Sequence, residues 1–473
     1  MDTPLPRRAP AEAGVDPAAV LRFVDAIDAD ERTEVHSVMV LRRGAVVAEG
    51  WWAPHTPERP RLLYSLSKSF TSAALGFALE EGLVSLDDTL LSHFPELDQH
   101  VADGRSRAIT LRHLASMASG HDHDMLDDVM EKDPENPVRG FLQLPPEHEP
   151  GSHFFYNQLC TYSLGAVLQR VTGQPLSTYL RPRLFDPLAI DDVGWQSWPP
   201  GQELGFTGLF ARTEDVAKLG LLFLQRGRWG DQQLIPEWYV AEATASLVDS
   251  TPGQENTDWR QGYGYQFWQS RHGYRGDGAF GQFCIVLPEY DAVLAMTGGT
   301  EAMQAVLDHV WTLLLPGFDD PSADGAASLA LEEKLASLAL PAPNVAGAAV
   351  YAQGGEFDVL PTAKERATSF ERVMLLPGDA HSVVLLEPDN ALTVALGLRE
   401  WKVSEPRDRR NAQVNVAASG GWVDEDTFRA EVIFLETPHR LDVALSRAEG
   451  KALVEWRGSR PLGGGEIDGL HLP

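Results

Sequence analysis

Cysteine and lysine are scarce in this chain. Its 473 residues include two cysteines, Cys160 and Cys284, so no disulfide framework can be built from them. That usage fits a reducing compartment, and a cytoplasmic location is the expectation. No apolar run approaches the ~20 residues needed to span a bilayer. The first ten residues lack the apolar stretch of a secretory signal. Positive charge is short overall: 39 basic against 68 acidic residues leave a net charge of −29. A deficit of that size argues against nucleic acid or an anionic membrane as partner. At 43% hydrophobic and 23% charged the rest is ordinary globular composition, and the length allows two or three domains.

With only seven lysines, the position of each is informative. Ser65-Leu66-Ser67-Lys68 is the only place where a serine precedes a lysine by three residues. Downstream, Phe70, Ala74, Phe77 and Ala78 recur at helical spacing and Gly82 supplies a stop. The pattern predicts a helix with Ser65 at its N-terminus and Lys68 one turn later on the same side. A nucleophile there feels the positive end of the helix dipole. A buried lysine whose pKa is depressed can take its proton. Taken alone, the tetrapeptide is common at ordinary helix starts, so the rest of the chain has to decide.

Residues 14–31 read as a helix with Val20, Phe23, Val24 and Ile27 on one face. His36–Arg42 and Ala45–Trp51 read as a hairpin through Arg43-Gly44. Residues from about 83 to 227 read mainly as helices and loops, with a long acidic, proline-rich loop from Gly120 to Pro150. Strand character returns at Tyr263–Trp268, Gln282–Leu287 and Ala292–Met296, followed by a helix from about Met303 to Leu315. Strands at both ends of a helical stretch predict an α+β domain over 1–318, in which an all-α insertion (about 83–227) interrupts an antiparallel sheet with flanking helices. A helical linker is expected over 319–344. A small all-β C-terminal domain, sandwich or barrel, is expected over 345–473, from runs such as Ser382–Leu386, Leu392–Leu396, Phe428–Phe434 and Leu441–Leu445. That last domain shows no catalytic cluster.

Acyl-enzyme chemistry needs a second proton-handling group and donors for an oxyanion. Pro150-Gly151-Ser152-His153-Phe154-Phe155-Tyr156-Asn157-Gln158 puts Tyr156 on a loop before a predicted helix. Gly276-Asp277-Gly278-Ala279-Phe280-Gly281-Gln282 offers a glycine-rich strand edge that a substrate can approach closely. His121-Asp122-His123-Asp124 has some metal-ligand character, but a third histidine is missing and a solvated acidic loop is the better reading. No metal or other cofactor is expected. Cys160 and Cys284 read as packed residues, and Lys218 as a surface helix residue. Tyr263, Tyr265 and Trp268 are candidates for lining a cleft, although strand alternation would bury some of them.

From Val15 to Leu315 the chain resembles the serine β-lactamase-like hydrolases, a group of class C β-lactamases, D-Ala-D-Ala peptidases, esterases and 6-aminohexanoate-dimer hydrolases. The resemblance rests on Tyr64-Ser65-Leu66-Ser67-Lys68-Ser69-Phe70, Gly82-Leu83-Val84-Ser85-Leu86-Asp87-Asp88, Thr110–Leu114 and the Pro-Gly-Ser…Tyr156 loop. It extends through Leu184-Phe185-Asp186-Pro187-Leu188, Glu214–Gly220 and Gly278–Gln282. It implies a β-lactamase/transpeptidase-like fold. It also implies Ser65 as acylated nucleophile, Lys68 and Tyr156 as proton carriers, and an oxyanion hole from the N–H groups of Ser65 and Ala279. Two departures stand out. The second motif reads Tyr156-Asn157-Gln158 where Tyr-x-Asn is common, so Gln158 or Asn157 would supply the amide. The third reads Gly276-Asp277-Gly278 where Lys-Thr-Gly or His-x-Gly is common, which puts Asp277 and Gly278 at the substrate. A cleft-facing Asp277 would repel an anionic substrate and favour a cationic one. The implied function is a serine hydrolase of small-molecule esters or amides working through a Ser65 acyl-enzyme. The alternatives are a β-lactamase or D-amino-acid peptidase, and a non-catalytic binding protein that retains the fold.

Overall fold

The main sheet starts from a two-residue turn. Strands β1 (Val35–Arg42) and β2 (Ala45–Trp51) are joined by Arg43 and Gly44, with φ of 51° and 74°. Left-handed conformations at both positions match the right-handed twist of a hairpin. The computed structural model describes residues 4–251, 254–319, 325–345, 354–378, 381–462 and 464–473. Parts of the predicted linker (320–324) and of the predicted β domain (346–353, 379–380 and 463) lie outside the described residues.

The chain forms two units, each with its own core. The first comprises Met1–Gly50, Leu63–Gly298 and Ala302–Ala336; the second comprises Trp51–Leu62, Gly299–Glu301 and Ser337–Pro473. In the first unit β1 and β2 join β3 (Trp268–Gln269), β4 (Tyr274–Gly278), β5 (Gln282–Leu287) and β6 (Ala292–Gly298). The order is β2-β1-β6-β5-β4-β3. The pairings β1–β6, β6–β5, β5–β4 and β4–β3 are antiparallel. Strands from the two ends of the segment are therefore neighbours, and the helical stretch leaves the sheet between them, as the α+β reading expects.

Helix α1 (Pro17–Ala29) is capped by Asp16, whose carboxylate accepts the Ala18 N–H at 3.0 Å. Its Val20, Phe23, Val24 and Ile27 are all buried. Helix α2 (Ser67–Glu80) is buried over nearly its whole length, from Ser67 to Ala78. Helix α3 (Gln158–Thr172) follows the Tyr156 loop. Helix α4 (Thr213–Leu224) closes on the sheet: Val216 O accepts from Cys284 Sγ at 3.5 Å. Lys218, expected at the surface, is instead 1% exposed and donates to Ala189 O at 2.9 Å. Aliphatic stem and amine are both inside because a backbone carbonyl takes the ammonium.

The predicted strand Tyr263–Trp268 is a folded-back loop. Gly262 and Gln266 take φ of 109° and 65°, and Gly264 N donates to Phe267 O at 2.8 Å. Positive φ at a non-glycine residue breaks the extended run that the aromatic content suggested. The strand sits a few residues later, at β4, where two glycines hide it from a propensity reading.

In the second unit nine strands form one sheet. They are β7 (Gly355–Val359), β8 (Arg372–Leu376), β9 (Ser382–Leu386), β10 (Ala391–Ala395), β11 (Lys402–Ser404), β12 (Val416–Trp422), β13 (Thr427–Phe434), β14 (Arg440–Ser446) and β15 (Lys451–Trp456). Their order is β10-β9-β8-β7-β15-β14-β13-β12-β11, with β7–β15 the parallel pair. Gly397, just past β10, bridges Ser419 of β12, so the two ends of the sheet meet and the barrel is nearly closed. Alternate residues fill it: Val373 and Leu375, Val383 and Leu385, Leu392 and Val394, Leu441, Val443 and Leu445. Trp456 and Phe434 are among the inward-facing residues.

The α4–sheet contact carries a stability prediction. A Cβ on Gly220 would lie 2.6 Å from Val293 Cγ1 and 2.8 Å from Cys284 Sγ. Gly220→Val is expected to cost about 1–3 kcal/mol through overpacking. Urea unfolding should show a lower midpoint at unchanged slope.

Candidate active site

Ser65 stands in a tight 3₁₀ turn, Tyr64–Leu66, that runs directly into α2. Tyr64, immediately before it, takes φ of +48°. A tyrosine in that region is strained by about 1–2 kcal/mol, and such strain persists only where the surroundings impose it. The helix then carries Lys68 back beside Ser65. Lys68 is 1% exposed, and its Nζ lies 3.1 Å from Ser65 Oγ, 2.6 Å from Gln158 Oε1 and 2.9 Å from Phe206 O. Burial brings its pKa down to about 7, against the pull of Asp124 and Asp277. The three neighbours suit a neutral amine. Gln158 Oε1 and Phe206 O can only accept, so they take the two N–H bonds and leave the lone pair facing the Ser65 hydroxyl.

Tyr156 completes the group. Its loop is tied to the segment before it: Gly151 N donates to Ala118 O at 2.7 Å and Phe155 N to Met117 O at 3.1 Å. The Tyr156 hydroxyl is hydrogen-bonded to Ser65, while burial raises its pKa above the ordinary phenol value. The ring lies under Lys68 Nζ at 4.8 Å from the centroid, and stacks on Trp268 at 5.2 Å and 23°. Burial thus keeps the phenol protonated, with its hydroxyl on Ser65 and its ring face on Lys68.

Asn157 and Gln158 part company. Gln158, half-buried at the first position of α3, reaches Lys68. Asn157 turns inward. Its Oδ1 caps α3 by accepting the Leu159 N–H at 3.0 Å, and the side chain is fully buried. An asparagine one residue before a helix is a natural N-cap.

Strand β4 supplies the opposite wall. Gly276 and Gly278 face α2: a Cβ on Gly276 would be 2.3 Å from Ser69 Oγ, and one on Gly278 would be 2.1 Å from Leu63 O and 3.1 Å from Ser65 N. These glycines serve a close approach of β4 to the turn that carries Ser65. Ala279, half-buried and next in line, leads into a turn where Phe280 takes φ of +66°; Phe280 and Tyr64 lie with ring centroids 5.2 Å apart. Both flanks of the Ser65–Ala279 pair are therefore strained, non-glycine positions.

By strand alternation Arg275 and Asp277 share the other face of β4. Asp277 is not a free carboxylate: Arg275 Nε donates to its Oδ2 at 2.9 Å, and its side chain is 6% exposed. Burial raises the Asp277 carboxyl above the usual range, with Arg275 pulling the other way. Arg275 itself is fully buried, lies over Trp259 at 4.3 Å, and donates to Asp258 O, Gln269 O and Ser270 Oγ.

Several residues escaped the sequence reading. Arg275 was findable, since it stands two residues before Asp277 in a strand. Asp124 was not. It belongs to the His121–Asp124 run, where His121 is buried against Ser119 and Leu144 O while Asp122 and His123 are exposed. Asp124, also exposed, accepts the Gln158 N–H at 3.0 Å and acts electrostatically on Lys68 and Tyr156. Nothing local in the sequence separates it from its neighbours. Tyr263 and Trp268 are buried beside Tyr156, whereas Tyr265 accepts from Arg112 away from it. Cys160 and Cys284 are both fully buried, and burial pushes each thiol up to about 12.

Comparison with known proteins bears on this arrangement. The family model described as Beta-lactamase matches residues 20–310, well over half of the chain. The chain belongs to the beta-lactamase family. Among curated members of similar sequence, the lovastatin esterase of Penicillium rubens is 32% identical over 28% of this chain and 38% of its own length. The 6-aminohexanoate-dimer hydrolase of Paenarthrobacter ureafaciens is 26% identical over 59% of this chain and 76% of its own. The chain thus spans well under half of the lovastatin esterase. Among solved structures, EstCE1, titled a hydrolase with promiscuous acyltransferase activity, covers 62% of this chain and 99% of its own at 19% identity and a TM-score of 0.51. That likeness speaks for the fold, and the beta-lactamase-like architecture read from the sequence agrees with it.

The state of Lys68 is directly measurable. With seven lysines, a 13C-lysine NMR spectrum of the full chain is sparse. One resonance, missing in Lys68→Met, is expected to titrate with a midpoint of about 7, with the neutral form above it.

Proposed function

We propose that the chain is a serine hydrolase that cleaves an ester or amide bond of a small molecule through a Ser65 acyl-enzyme. Above about pH 7 the Lys68 amine is neutral and accepts the Ser65 proton as Oγ attacks the carbonyl carbon. The oxygen that becomes anionic is received by the backbone N–H groups of Ser65 and Ala279, a fixed pair that needs no reorganisation. Tyr156, in contact with both Ser65 and the lysine, passes the proton to the leaving alcohol or amine as the carbonyl–heteroatom bond breaks. Water then replaces the leaving group. It loses its proton to the Tyr156–Lys68 pair, attacks the acyl carbon, and frees Ser65.

The observation that carries this reading is the 3.1 Å contact between Ser65 and a buried lysine whose pKa is brought down to about 7. A surface Ser-x-x-Lys would leave the amine charged and useless as a base at neutral pH. Two relatives bearing the names lovastatin esterase and 6-aminohexanoate-dimer hydrolase support ester and amide bonds as the substrate class. A β-lactamase reading is less well supported, because Gly276-Asp277-Gly278 brings a carboxylate, paired with the buried Arg275, where Lys-Thr-Gly would bring a cation.

Ser65→Ala is expected to abolish turnover of p-nitrophenyl esters and the mass increase left by a fluorophosphonate probe. Undiminished hydrolysis in that variant would sink the nucleophile assignment. Wild-type ester turnover is expected to exceed nitrocefin turnover by more than ~10-fold, about 1.4 kcal/mol in barrier.

The oxyanion pair has its own test. Gly278→Ala puts a methyl against Leu63 O and displaces the Ala279 N–H from Ser65. The ester kcat/KM is expected to fall about 10²-fold, with the circular dichroism spectrum retained. Unchanged kcat/KM would remove Ala279 from the oxyanion hole.

A further inference from the structure

The acidic side chain at the site is built as half of an ion pair, and the two halves are not equally placed. Arg275 is 0% exposed and Asp277 is 7% exposed. The guanidinium is shut in by Trp259 on its face, by Asp258 O, Gln269 O and Ser270 Oγ at Nη1, and by Asp277 at Nε. The carboxylate is also hydrogen-bonded by Trp259, and acts electrostatically on Lys68 and Tyr156. The pair is therefore a dipole with its acid end toward the reacting groups. Asp124 adds a second carboxylate near Lys68. Arg275 balances Asp277, but among the charges felt by Lys68 the two carboxylates figure and the guanidinium does not, so the acid end is the nearer one.

We propose that Asp277, locked in place by Arg275 and Trp259, is the specificity-determining residue of the site, selecting acyl groups that carry an ammonium or other hydrogen-bond donor and rejecting those that carry a carboxylate. Arg275 is its positioning residue, since no substrate can reach a fully buried guanidinium. The pair also explains why a carboxylate is tolerated here at all. Unpaired, a buried acid would take up a proton instead of holding a charge. Clamped, it presents a fixed acceptor of defined direction. This inference rests on the acyl-enzyme reading given above.

The test uses the full chain at pH 8 and three eight-carbon p-nitrophenyl esters: octanoate, 8-aminooctanoate and the mono-ester of suberate. In the wild type the aminooctanoyl ester is expected to exceed the suberyl ester in kcat/KM by at least about tenfold. Asp277→Asn should shrink that ratio to within about threefold, each ester being normalised to octanoate. Asp277→Asn leaves Arg275 buried without its anion, which threatens folding. The double variant Arg275→Met, Asp277→Asn removes both charges and is expected to give the same flattened ratio. In the wild type, 1 M salt should compress the ratio toward the variants' value. A flat order in the wild type, or an order that survives the loss of Asp277, overturns the inference. Ser65→Ala separates the two layers. Hydrolysis of all three esters persisting in that variant overturns the acyl-enzyme reading, while a flat but Ser65-dependent order overturns the Asp277 inference alone.

Discussion

Everything at this site depends on keeping one amine dry. Lys68 sits on a helix that is buried almost end to end, and desolvation outweighs two nearby carboxylates in setting its pKa. A lowering from 10.5 to about 7 corresponds to roughly 4–5 kcal/mol of disfavour for the charged form. The sign of the linkage follows. Between about 7 and 10.5 the unfolded chain binds a proton that the folded chain does not, so this residue's penalty on stability relaxes as pH rises through that window and is full below it. The first unit thus gives up stability near neutral pH to keep this amine buried.

The second constraint is proximity of backbones. Strand β4 touches the turn that carries Ser65 only because Gly276 and Gly278 present no side chain to it. The same contact is accompanied by positive φ at Tyr64 and Phe280, the two non-glycine residues that flank Ser65 and Ala279. Strain of this kind sits where geometry matters more than stability. The sheet order β2-β1-β6-β5-β4-β3 makes it possible, because β4 lies near one edge, where its glycine face is free to meet a helix instead of a neighbouring element of the core.

Periodicity revealed those parts of the molecule where burial follows a simple repeat. Helix α1 and the barrel strands Ser382–Leu386 and Thr427–Phe434 were legible because their apolar residues recur at 3.6 or 2.0, and the hairpin because β-rich runs flank Arg43-Gly44. Tyr263–Trp268 misled for the opposite reason. Its aromatics are buried by a looped backbone, and strand propensity measures fit to a buried surface, not extension itself. Strand β4 was nearly invisible because its defining residues are glycines and charges. At the site, Ser65, Lys68 and Tyr156 came from spacing and family likeness. The choice of Gln158 over Asn157, the clamp by Arg275 and the approach of Asp124 depend on long-range contacts that one sequence does not encode locally.

The Arg275–Asp277 pair shows how such a contact changes meaning. Read alone, an aspartate in place of a lysine-threonine pair suggests either a strand-edge residue in solvent or a bare negative charge in a cleft. Paired, it is neither. A buried ion pair is weak evidence for stability, since a hydrophobic pair of equal volume often does as well. What an apolar pair cannot supply is a directed acceptor held against rotation beside Lys68 and Tyr156. Arg275 sits over Trp259 and is held at Nη1 by backbone and hydroxyl oxygens, although its buried Nη2 has no hydrogen-bond partner among the described residues, so little of its freedom remains to be lost when a substrate arrives. A charge arranged this way keeps its direction without having to move, which is the property a rigid strand can give and a loop cannot.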